Sequence, residues 1–139
     1  MEAREYLMQA ESLDKKINAE LRELERLKAL ATRCTSALGG VPGGGSGRGR
    51  TEDVLIKIAD MQARIDGDVD TLVDFRNEAE ELLSLLPCSN SRTLLKLRYF
   101  DYLTWEEIAR EMGYGGRYIY DLHRRALDET NRLLCRMAS

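Results

Sequence analysis

Proline is scarce in this chain: only Pro42 and Pro87 occur in 139 residues. Because proline breaks a helix from within, long unbroken helices are permitted everywhere except around those two positions. β-rich classes find almost no support. The long stretches of Leu, Ala, Glu, Lys and Arg are instead the composition of an all-helical protein. The three cysteines, Cys34, Cys88 and Cys135, are odd in number and far apart, which argues against a disulfide framework and for reduced thiols. His123 is the sole histidine and no CxxC pair exists, so a zinc site is not expected. No metal or cofactor is expected either.

Long hydrophobic runs are also missing. None approaches the roughly 18 residues that a membrane span needs, and the opening MEAREYLMQAES lacks the basic-then-apolar layout of a signal peptide. The expectation is a cytoplasmic protein without membrane contact. A net charge of −3 argues against a bulk nucleic-acid binder, but the charge is uneven. Residues 51–89 carry ten acidic and three basic side chains, whereas residues 90–139 carry nine Arg or Lys against seven Asp or Glu. Any DNA-contacting surface is therefore expected in the C-terminal part.

The apolar residues that are present fall in helical rows. Ala3, Ala10, Ile17, Leu24, Ala31 and Leu38 form one row at heptad spacing, with Tyr6, Leu13, Leu27 and Cys34 in the other. This predicts one long helix, and its mixed-sign pairs, such as Glu11 with Lys15 and Glu25 with Lys28, suit a solvated face. The stretch 39–50, GGVPGGGSGRGR, has seven Gly in twelve residues and reads as a flexible linker. It is not a nucleotide loop, because Arg50 and Thr51 stand where a Lys and a Ser or Thr would follow the glycines, and a helix precedes it.

A second long helix is expected from about Thr51 to Leu86. One row holds Ile58, Ile65, Leu72, Ala79 and Leu86, the other Val54, Met61, Phe75 and Leu82, and Pro87 ends it. Two such helices fold back most simply as an antiparallel, coiled-coil-like hairpin over 1–87. Oligomerisation through the same seams is the competing outcome. Glu20 and Asp68 interrupt the two seams at similar distances from the linker. A hairpin would bring them together as a register-setting polar layer or leave them at the seam edge. They lack the Glu-x-x-His companions of a di-metal bundle.

Residues 88–139 read as a small three-helix domain. Thr104 ahead of WEEI, with Glu107 three residues on, is a capping box that starts a short helix. Ile108, Ala109 and Met112 form its inner face, Gly113 sits at a turn where positive φ is needed, and Ile119 and Leu122 return as the inner face of the next helix. Upstream, Leu94, Leu95, Leu97, Tyr99 and Phe100 belong to a covering helix. The fold class is thus all-α: a helical hairpin followed by a helix-turn-helix domain.

The segments LLKLRYFDYLTWEEIAREMGY and IYDLHRRAL resemble region four of bacterial sigma factors, with LRY, EEIA and RAL in the same order. With LDKKIN and LATRCTS in the N-terminal half, the whole chain is similar to a family of small phage and prophage proteins of Gram-positive bacteria. The C-terminal part is also similar to phage late-gene regulators of the ArpU and RinA types. The resemblance implies that the second helix reads promoter DNA in the major groove, with RNA polymerase as a further partner. Nothing in the N-terminal half resembles the sigma regions that bind core polymerase or melt the promoter.

On a helix beginning near Gly115, the inner residues Ile119 and Leu122 place Arg117, Tyr118, Tyr120, Asp121 and Arg124 on outward or flanking faces. Arg117 is the base-reading candidate, since an Arg donates two hydrogen bonds to guanine. Arg124 and Arg125 suit phosphate contacts or an ordinary solvated face. Tyr118 and Tyr120 suit phosphate, a thymine methyl, or packing. His123 reads as a surface residue without a catalytic role. Gly115 and Gly116 replace the polar residues that usually begin a recognition helix, and a bare helix N-terminus there would let the backbone approach a phosphate.

The expected function is a phage or prophage transcription regulator binding double-stranded DNA, with a homodimer through the N-terminal helices. A small-terminase-like packaging component and a protein-interaction module acting on polymerase or another host protein are the alternatives. No nucleophile–base pair, metal cluster or cofactor loop points to an enzyme.

Overall fold

The computed structural model describes the backbone of residues 1–38 and 45–138, and the side chains of 1–34 and 49–138. Five helices make up the fold: α1 (Ala3–Leu38), α2 (Gly45–Leu83), α3 (Ser89–Tyr99), α4 (Trp105–Met112) and α5 (Gly116–Ala138). No strand occurs among the described residues. None of these helices is long and apolar enough to cross a membrane.

The first helix has the bounds its heptad rows predict. The second differs at both ends. It begins at Gly45, so 45–50 are helical rather than linker, while 39–44 of the expected linker lie outside the described residues. Extending an existing helix needs no new nucleus, and each glycine costs only about 1 kcal/mol relative to Ala. At the other end the helix stops at Leu83, not Leu86. Pro87 disfavours helical geometry at the residue before it, and its ring would collide with the carbonyl four residues back, that of Leu83. The chain leaves the helix through tighter bonds, Leu85 N–H to Leu82 O at 3.1 Å and Leu86 N–H to Leu83 O at 3.0 Å.

The chain divides into two compact units, Met1–Leu13 with Leu72–Ser139, and Asp14–Thr71. In the second unit the seams are buried at Ile17, Leu24, Val54 and Ile65. Lys16 reaches Asp68 at 3.4 Å, and Glu20 interacts with both Asp68 and Arg64, an antiparallel register. Glu20 is only 9% exposed, and both of its carboxyl oxygens are buried without a donor. The two seam acids therefore meet. A hydrogen bond between the two carboxyls favours the protonated form of Glu20 and the charged form of Asp68. That hydrogen bond, followed by burial and the Asp68 charge, holds the Glu20 pKa above its ordinary value. The same bond, aided by Lys16 and opposed by burial, holds Asp68 below its own.

In the first unit Tyr6 packs on Phe75, ring centroids 5.2 Å apart, and donates its hydroxyl to Glu78 at 3.1 Å. The Ala3 N–H donates to Asn131 Oδ1 at 2.6 Å, which ties α1 to α5. Leu7 and Leu83 stand off the heptad rows yet are fully buried, because here each long helix packs on more than one neighbour. The core of this unit also takes in Leu94, Leu95, Tyr99, Phe100, Ile108, Ile119, Leu122 and Ala126.

Candidate nucleic-acid interface

Helix α4 starts where its cap dictates. The Thr104 hydroxyl accepts from the Glu107 N–H at 3.2 Å, and the Glu107 carboxylate accepts from the Thr104 N–H at 3.4 Å. A reciprocal capping box satisfies two otherwise unpaired donors. At its far end Gly113 has φ 75, and the N–H groups of Gly113 and Tyr114 both return to the Ala109 carbonyl. This left-handed cap reverses the chain, so α5 follows after the turn. Ile108, Ile119 and Leu122 close the interface between the two helices, and Leu94 and Leu95 from α3 are buried with them. Ala109 and Met112 are half-buried, as is Leu97 on α3.

Burying Ile119, Leu122, Ala126 and Thr130 determines what α5 presents on its opposite side. Arg117, Asp121 and Arg124 line that side, with Arg125 on its flank, and all four are exposed. None of these three arginines is in an ion pair among the described residues. Their donors are free for a ligand.

The two tyrosines flank the row and are each held by another ring. Tyr118 lies 4.6 Å from Tyr114, whose hydroxyl accepts from Asn90. Tyr120 lies 5.3 Å from Trp105. Both keep solvent-facing surface, so each is a packed ring with an open edge rather than a free arm.

Gly115 and Gly116 sit at the start of α5. Neither has a left-handed φ, and a Cβ on either would meet nothing within 4 Å. The fold itself does not require glycine there. The first N–H groups of the helix have no partner within it, and the absence of side chains leaves them open to an approaching anion.

His123 is not the surface residue that its neighbour Arg124 suggests. It is half-buried, with Nε2 at 2.8 Å from the Tyr99 hydroxyl and its ring edge-on to Trp105 at 4.5 Å. The position beside Leu122 puts it at the margin of the buried face. Burial, then the charges of Arg98 and Arg4, lower its pKa to about 4, so it is neutral at physiological pH. Sequence reasoning also passed over Arg98, whose guanidinium lies 4.4 Å over the Trp105 ring. The only Trp in the chain was the available signal.

Among the described residues no group of His, Cys, Asp or Glu could hold a metal ion. No protein-family model matches the chain, and no curated protein or solved structure matches it either.

Proposed function

We propose that this protein is a transcription regulator of phage or prophage type that binds double-stranded DNA, with α5 entering the major groove. The observation that carries the reading is the row Arg117, Asp121 and Arg124, exposed opposite the buried face of α5. The helix bearing it follows a turn whose cap and left-handed glycine are both in place. In this reading Arg117 donates two hydrogen bonds to a guanine edge, Arg124 and Arg125 hold phosphates, and the bare N-terminus at Gly115 and Gly116 receives a further phosphate.

So few cationic contacts give weak binding by a single copy. A second copy associated through the N-terminal helices, or RNA polymerase bound beside the site, supplies the remaining affinity. The similarity of the C-terminal segment to sigma region four favours the polymerase contact. The salt dependence of duplex binding tests the phosphate roles. Replacing Arg124 by Ala should weaken binding to all duplexes alike and reduce the slope of log affinity against log salt by about 1. An unchanged slope removes Arg124 from the interface.

A further inference from the structure

The unit formed by Met1–Leu13 and Leu72–Ser139 contains a cleft of about 350 Å³, within the size range of small-ligand sites. Arg4 from α1, Arg98 from α3, Tyr102 from the connector, Trp105 from α4, and Tyr120 and His123 from α5 form much of its wall.

Tyr102 is placed at a cost. Its φ of 60 makes it the one non-glycine residue with positive φ among those described, a state that costs on the order of 1 kcal/mol or more. Its hydroxyl is held by Arg76 Nη2 at 2.9 Å. Tyr102 and Tyr120 remain 38% and 54% exposed; Arg76 lies over the Tyr102 ring at 6.0 Å and Trp105 lies against Tyr120 at 5.3 Å, so what each offers is the ring surface these neighbours leave open.

The charge of the cleft is positive. Arg4 and Arg98 line it with one carboxylate, that of Glu11, and His123 adds no charge because burial and those same two arginines keep it neutral. Arg98 gives one N–H to the Leu103 carbonyl at 2.9 Å, and the rest of the five donors on a guanidinium remain for an anion.

We propose that this cleft binds a nucleobase carrying a phosphate, with the base against Tyr102 and Tyr120 and the phosphate between Arg4 and Arg98. A neutral aromatic ligand would leave both guanidinium charges unanswered, and a bare anion would leave the rings unused. Aromatic stacking contributes about 1–3 kcal/mol per base, and arginine beside a ring adds to it. The ligand is either a free mononucleotide or the phosphorylated end of a single strand. The site uses neither Arg117 nor Arg124, so duplex reading by those two arginines and ligand binding in the cleft can fail independently.

The sole Trp and the sole His both lie in the cleft wall, so each reports on it without labelling. The full chain is titrated with adenosine monophosphate, adenosine and inorganic phosphate, following Trp105 emission and the His123 ring by NMR. The expected result is a saturable Trp105 change with the mononucleotide, accompanied by an upward shift of the His123 pKa. Adenosine and phosphate should bind at least about tenfold more weakly. Arg4→Gln and Tyr120→Ala, with helix content checked by circular dichroism, should each weaken the mononucleotide about tenfold. The absence of a saturable change overturns the proposal, as does a response that both variants preserve or that adenosine or phosphate alone reproduces. A short single strand with a 5′-phosphate, compared with its unphosphorylated twin, identifies the source. Tighter binding than the mononucleotide assigns the strand end, and equal binding assigns the free nucleotide.

Discussion

The Tyr99 hydroxyl and the His123 Nε2 atom lie 2.8 Å apart, joining α3 to α5 through a neutral imidazole. The folded His123 pKa, about 4, lies below the ordinary 6.5. Between those values the unfolded chain binds the extra proton, and stability rises with pH. The contribution is complete above pH 6.5 and is lost as pH falls towards 4. An NMR titration of the single histidine should show a midpoint near 4, and Tyr99→Phe should lower the melting temperature. A midpoint near 6.5 would contradict the buried placement of the ring.

The Glu20–Asp68 pair has a pH dependence of its own. Raising the Glu20 pKa gives stability that is present at low pH and lost as pH rises through the folded value. Lowering the Asp68 pKa gives stability that is lost as pH falls through its folded value. The seam is therefore most stable between the two folded values, where Lys16 and Arg64 act on the charged carboxylate. Glu20→Gln keeps the hydrogen-bond donor and cannot ionise. It should remove the decline in stability that the parent shows as pH rises through the folded Glu20 value. A variant that declines in parallel with the parent would exclude Glu20 as the source of that decline.

The glycines around the turn should separate into structural and functional ones. Gly113→Ala forces an alanine into φ 75 and should cost about 1–2 kcal/mol in urea unfolding. Gly116→Ala meets open space and should be neutral or stabilising by up to about 1 kcal/mol, while weakening duplex binding by crowding the helix N-terminus. A Gly116→Ala protein that binds DNA as before would show that no phosphate approaches that end.

Removal of the cap tests the local origin of α4. Thr104→Ala takes the acceptor from the Glu107 N–H and should cost about 1 kcal/mol, measured by chemical denaturation. A negligible loss would mean that packing of Ile108 alone determines where the helix begins.

Much of this architecture is legible in local chemistry. The heptad rows run from Ala3 to Leu38, which are the bounds of α1, because one periodic signal covers the whole helix. Thr104, Glu107 and Gly113 are equally readable, since a cap or a left-handed turn depends on residues a few positions apart. The meeting of Glu20 with Asp68 follows once the hairpin is assumed. The start of α2 at Gly45 was hidden, because glycine content signals a linker while helix extension from a stable segment is a cooperative property. The burial of His123 and the left-handed Tyr102 were also hidden. Both depend on α3, α4 and α5 converging, and no spacing within one segment records that. For the candidate interface, the sequence supplied the positions on α5, whereas ring contacts such as Trp105 with Tyr120 required the folded chain.

Duplex reading by α5 is checked by selection of the purified full chain against random duplexes at moderate salt. The Arg117→Ala, Arg124→Ala double variant is run in parallel. One motif should be enriched by the parent and not by the variant. No enrichment by either protein, or the same motif enriched by both, would contradict it.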